Sequence, residues 1–136
     1  MAGSSVKTAF EKPKFDEQDV DSMKKIKVPN IVRQFLAETL GTFLLVLFGD
    51  GAIAQFVGRG EAAFLPVALG YGLALMIGIL ASGGVSGGHL NPAVTLAMAS
   101  IKKCKWIQVP VYWGAQYLGA FLASAVLYGN YADMIQ

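Results

Sequence analysis

Ser86-Gly87-Gly88-His89-Leu90-Asn91-Pro92-Ala93-Val94-Thr95 gathers most of the groups in this chain that could do chemistry. Two glycines, an imidazole, a carboxamide and a proline stand together inside a stretch, Phe64 to Ile101, that carries no charge. Asn91-Pro92 reads as a helix start, because Asn is a favoured N-cap and Pro suits the first helical position, where its missing N–H would go unpaired anyway. If the Asn91 oxygen accepts the N–H of Val94, its amide NH₂ remains as a fixed donor. Gly87 and Gly88 let an extended segment turn sharply, so that backbone carbonyls can form a ladder of acceptors. A fixed donor beside such a ladder, at the positive end of a helix dipole, suits water or a polyol and disfavours cations.

Covalent chemistry finds no support. His89 is the single histidine and Cys104 the single cysteine, so no metal cluster, intrachain disulfide or nucleophile–base pair can be assembled from them. The expectation is a chain with no catalytic residue, no metal and no cofactor. His89 is expected to buttress the loop by hydrogen bonding. A net charge of +2 gives no reason to expect a nucleic-acid partner.

The elements that must position the loop are membrane elements. Of the 136 residues, 54% are hydrophobic and 15% charged, against roughly 25% charged in soluble domains. Residues 1–30 form a mixed-charge tail without apolar periodicity, expected to be solvated, disordered and cytoplasmic. A first span is expected from Phe35 to Val57, about the ~20 residues that a bilayer core requires. Arg59 lies in the turn that follows. The neutral stretch from Phe64 to Ile101 is too long for one span and too short for two with a connector. A last span is expected from Ile107 to Leu127, with Trp106, Tyr128 and Tyr131 as interface anchors.

Charge sets the topology. Lys24, Lys25, Lys27 and Arg33 precede the first span, and Lys102, Lys103 and Lys105 precede the last. Positive-inside bias puts both groups in the cytoplasm and Arg59 outside. Phe64 to about Gly83 then returns to the cytoplasmic side, so Gly84 to Ile101 must enter and leave on that same face. Non-helical backbone at such depth is tolerated only where it is buried in protein or lines a wet cavity. A helix from Pro92 to Ile101 is ~15 Å long, half the hydrocarbon core, which puts its N-terminus near the midplane. Glu38, in the first span, is costly in lipid and needs a buried partner. Gly70, Ala74, Gly78 and Ser82 recur every four residues, as do Ala115, Gly119 and Ala123, and such stripes let helices pack closely.

The string SGGHLNPAVT resembles the first signature loop of the major intrinsic proteins, the aquaporins and aquaglyceroporins. Ala37-Glu38-x-x-Gly41-Thr42 and Ala115-Gln116-x-x-Gly119-Ala120 fall in register with it, so the resemblance covers Val32 to Tyr131. It implies an all-α membrane protein with three transmembrane helices plus one re-entrant half-helix, residues 31–136 being the first repeat of an inverted-repeat channel. It also implies that Asn91, Pro92 and Ala93 form a pore triplet and that Gly87, Gly88, His89 and Leu90 supply the carbonyl ladder. Glu38 and Gln116 would support the loop, and Tyr71 would form an aromatic wall of the outer filter. Gly49-Asp50-Gly51-x-x-Ala54-Gln55 is similar to glycerol-conducting members.

The implied function is the first half of a passive plasma-membrane channel for water and small polyols such as glycerol, excluding protons and ions. Its lipid-embedded full-length form would be a homotetramer. The second signature loop, the second asparagine and the filter arginine are not in this sequence. It is therefore expected, as a fragment or truncated form, not to conduct alone; the alternative is a non-conducting subunit that modulates full-length channels.

Overall fold

A computed structural model describes residues 28–58, 60 and 64–135. Nearly all of the expected tail, and Arg59 in the turn, lie outside the described residues. Among the described residues four helices follow in order: α1 (Asn30–Gly58), α2 (Phe64–Ser86), the short α3 (Pro92–Ser100) and α4 (Val109–Ile135). A 3-10 turn, Trp106–Gln108, leads into α4. No strand occurs among the described residues.

The long helices overrun the expected spans, because a span limit marks the apolar core and not the end of the hydrogen-bonded backbone. At the start of α1, the N–H groups of Val32 and Arg33 close on the Pro29 carbonyl, at 3.0 and 3.2 Å. α2 passes through Gly83-Gly84 to Ser86 rather than ending at Gly83, and the Gly83 carbonyl accepts the Gly87 N–H at 3.0 Å. In apolar surroundings a satisfied backbone outweighs the low helix propensity of glycine. α4 continues past Leu127 to Ile135.

The short α3 has a distinct cap at each end. Asn91 Oδ1 accepts from the Ala93 N–H at 2.8 Å, so the capping bond goes to the second helical residue and not to Val94 as expected. At the other end Lys102 adopts φ +62°. The Lys103 N–H bonds the Met98 carbonyl at 2.8 Å and the Lys102 N–H bonds that of Ala99 at 3.0 Å, which is a Schellman ending.

Contacts fix the directions of the helices. α1 and α2 are antiparallel, since Gly41 meets Gly78 near their middles and Gly70 meets Ala52 further along. α1 and α4 run parallel: Gln108 Nε2 donates to Gln34 Oε1 at 2.9 Å at their starts, and Gly119 then sits on the backbone of Thr39 and Phe43. The Tyr112 hydroxyl, in the first turn of α4, donates to the Ser86 carbonyl at 2.8 Å, at the end of α2. The chain therefore leaves α2 and enters α4 at the same end of the bundle, and everything between must go in and come back.

Burial is inverted relative to a water-soluble bundle. The largest fully buried side chains are Gln116, Glu38, Thr95 and Ser82, whereas Leu36, Phe48, Leu69, Leu80 and Phe121 are exposed. The α1–α2 contact is made by small residues that let the backbones close up. α1 and α2 are each long and apolar enough to cross a membrane. α4 is as long, but dilutes its apolar residues with Gln116, Asn130 and Asp133.

Candidate functional site

The loop from Gly87 to Asn91 climbs from the end of α2 to mid-height in the bundle. A Cβ on Gly88 would come within 3.4 Å of the Cα atoms of Gly83 and Ile79. Further up, the Leu90 side chain wedges between Gly41 of α1 and Gly78 of α2, touching the space a Cβ would need at each. Gly78 lies eight residues before the end of α2, so the wedge sits ~12 Å into the bundle. This geometry needs left-handed backbone: φ is +94° at Gly87, +64° at Gly88 and +53° at Leu90. Glycine adopts these values freely, while for Leu90 the strain must be offset by its contacts.

Those contacts converge on Glu38. Its Oε1 accepts from the Ser86 hydroxyl at 2.6 Å and the His89 N–H at 2.9 Å. Its Oε2 accepts from the Leu90 N–H at 2.8 Å and from Gln116 Nε2 at 2.8 Å. The carboxylate is fully buried, and four donors match the capacity of its two oxygens. Gln116 uses its second amide hydrogen on Thr95 Oγ1 at 2.9 Å. Turning the amide round would set its oxygen against Glu38 Oε2, so the network assigns its orientation. Its own Oε1, and Thr42 Oγ1, are buried without a partner among the described residues.

His89 joins the same network through Thr95. The Thr95 hydroxyl has one hydrogen, which goes to the Asn91 carbonyl at 3.1 Å. The same hydroxyl oxygen lies 3.2 Å from His89 Nδ1. The imidazole stacks at a tilt on Tyr112, with ring centroids 5.0 Å apart. His89 thus ties the loop to α3 and α4. Trp113 completes the attachment by donating from Nε1 to the Pro92 carbonyl at 3.1 Å.

Anchoring one side of the loop presents the other. In a trans peptide the N–H points opposite to the preceding C=O. The N–H groups of Gly88, His89 and Leu90 turn inward to Ser86 Oγ and Glu38. The carbonyls of Gly87, Gly88 and His89 must then point away from Glu38, and none accepts a hydrogen bond among the described residues. At the top of this row Asn91 is exposed, with its Oδ1 held by the Ala93 N–H. Pro92 is half-buried and Ala93 exposed beside it. The result is one surface with three outward acceptors, a carboxamide donor and the N-terminal end of α3.

Tyr71 stands apart from this group, on α2 nearer the opposite end, with its hydroxyl donating to Asp50 Oδ1 of α1. The structure brings Glu38, Gln116 and the loop together and gives Ser86 and Thr95, the ends of the sequence stretch, roles that were not assigned to them; Tyr112 and Trp113 were missed. Tyr112 carried a readable signal, since it precedes Gln116 by four residues and shares its helix face. A cleft of about 560 Å³ between Leu47, Phe48 and Gln55 of α1 and Leu127, Asn130 and Tyr131 of α4 does not include the loop. The loop surface is an open wall.

Helices with lipid-suited exteriors, clasping a half-helix that enters and leaves on one face, define a membrane protein built around a re-entrant loop. The major intrinsic protein model matches residues 25–136, and the chain belongs to that family of integral membrane channels. It is 56% identical over 101 residues to aquaglyceroporin-2 of Rhizophagus irregularis, covering 73% of this chain and 32% of that protein. It is 42% identical over 106 residues to human aquaporin-9, covering 76% and 36%. The X-ray structure of the aquaglyceroporin from Plasmodium falciparum superposes with a TM-score of 0.74 at 44% identity, over 77% of this chain and 44% of that one. The chain thus spans about a third of the length of these curated relatives.

Proposed function

We propose that residues 31–136 form the first half of a passive channel for water and small uncharged polyols such as glycerol. The observation that carries this is the loop surface: three outward carbonyls leading to an Asn91 amide donor at mid-height in the bundle. A hydroxyl-bearing solute trades its water hydrogen bonds for these acceptors and meets a donor at the top. The N-terminal end of α3 points its partial positive charge at the same place and opposes cations, hydronium included. Glu38 and Gln116 act through the loop and do not contact the solute. Lys102, Lys103 and Lys105 at the loop base support a cytoplasmic position for that end.

The half wall acts only when a complementary half closes the passage, so the chain alone does not conduct. Relatives named as aquaglyceroporins support the polyol assignment. Vesicle swelling tests it. Liposomes with the complete channel carrying this half swell in a glycerol gradient and liposomes with this chain alone do not. Flux through the chain alone, or no glycerol flux through the complete channel, overturns the reading.

A further inference from the structure

One titratable pair lies outside the loop network. Tyr71 shares a stripe of α2 with Leu75 and Ile79, at spacings of four residues. The Cα of Ile79 lies beside Gly88, so this stripe faces the loop, and Tyr71 occupies it ~12 Å further toward the outer end. The ring does not extend freely from there. It lies on Gly49 of α1, where a Cβ would meet ring atoms Cε1, Cδ1 and Cζ at 2.7, 2.9 and 2.9 Å. Its hydroxyl donates to Asp50 Oδ1 on the next residue. A missing side chain supplies the seat and a carboxylate supplies the tether, both from α1.

We propose that Asp50 is a positioning residue that holds the Tyr71 ring back on Gly49, so that the passage beyond Asn91 stays wide enough for a polyol. This rests on the half-channel function proposed above. A tyrosine released from the tether turns about χ1 off its seat and toward the loop-facing side, where it narrows the passage. Water, with the smaller cross-section, is obstructed less than glycerol. The quantity that reports Asp50 is therefore the ratio of the two permeabilities.

The test uses the complete channel carrying this half, reconstituted in liposomes, with both permeabilities normalised to incorporated protein. Asp50→Ala and Tyr71→Phe each lower the glycerol-to-water ratio about fivefold, the population change produced by losing one hydrogen bond. The double variant lowers it no further, because both changes cut the same bond. Asp50→Asn keeps the ratio, since its Oδ1 still accepts the tyrosine hydrogen. Gly49→Ala lowers it with Asp50 intact by filling the seat, and adding Tyr71→Ala restores glycerol passage. If Asp50→Ala does not insert, Tyr71→Phe decides alone. An unchanged ratio in Tyr71→Phe, or additive losses in the double variant, overturns the proposal while leaving the channel function standing. A wild type that passes no glycerol overturns both.

Discussion

Glu38 Oε2 lies 2.8 Å from the Leu90 nitrogen, although 52 positions separate the two residues. This bond joins the first third of α1 to the top of the loop, and with the His89 N–H bond it makes one carboxylate the anchor for two consecutive peptides. Four donors crowd this acid, so it has no good substitute. In Glu38→Gln, one oxygen can still accept two donors, while the new NH₂ group faces the other two. Two buried donors are left unpaired, and stability falls by about 3 kcal/mol. Hydrogen exchange reads this directly: the His89 and Leu90 amides exchange about 100-fold faster, and amides in the middle of α1 change less. Equal protection in wild type and variant would remove Glu38 as the anchor.

Two glycines separate close packing from mere flexibility. At Gly119 a Cβ would collide with the Thr39 carbonyl oxygen and come within 3.0 Å of the Phe43 nitrogen. Backbone cannot step aside as a side-chain tip can, so Gly119→Ala pushes α4 off α1 and costs about 2 kcal/mol. Gly72 has nothing within 4 Å, and Gly72→Ala raises helix propensity with no clash, for a gain of up to about 1 kcal/mol. Unfolding midpoints of both variants in detergent should move in opposite directions.

The sequence carried the topology because charge and length are strong membrane signals. Lysines at both approaches, and a neutral stretch too long for one span, require a segment that returns to its own side, and Tyr112 on Ser86 closes that path. Asn91-Pro92 marked the start of α3 to the residue. Side-chain pairing was less legible. Ser86 and Thr95 are small hydroxyls that could bond to any neighbour, and only the fold brings them to Glu38 and Gln116. The Asp50–Tyr71 pair was within reach: both stand about two turns from the α1–α2 connection, so an antiparallel hairpin sets them level. The capping register slipped by one residue because an N-cap oxygen can reach either the second or the third helical N–H.

The ending of α3 uses the wrong residue type. Lys102 occupies the left-handed position of a Schellman motif, at φ +62°, where glycine has no Cβ to strain. The position is exposed, so substitution loses little packing. Lys102→Gly therefore stabilises the chain by up to about 1 kcal/mol, the glycine's extra freedom in the unfolded chain offsetting part of the gain. Lys102→Val, β-branched in the same conformation, destabilises it. The order Gly, Lys, Val in thermal midpoint checks the assignment, and a Val variant as stable as Lys would contradict it.

Cys104 offers a pH test of how the loop base is packed. Three neighbouring lysines, Lys102, Lys103 and Lys105, would pull its thiol pKa down if the sulfur lay in water beside them. Burial instead pushes it up, and the negative charge of Glu38 adds to the rise. A raised pKa means less thiolate at any given pH, so maleimide labelling at pH 8 is slower than for free cysteine. The rate should keep climbing with pH after free cysteine has levelled off. Because burial is the larger cause, 1 M salt, which cuts the Debye length to ~3 Å, shifts the profile only slightly. Unfolding the chain in denaturant returns the profile to that of free cysteine. A folded-state profile lying below that of free cysteine would mean that the lysines dominate and that the sulfur is not packed against the turn leading into α4.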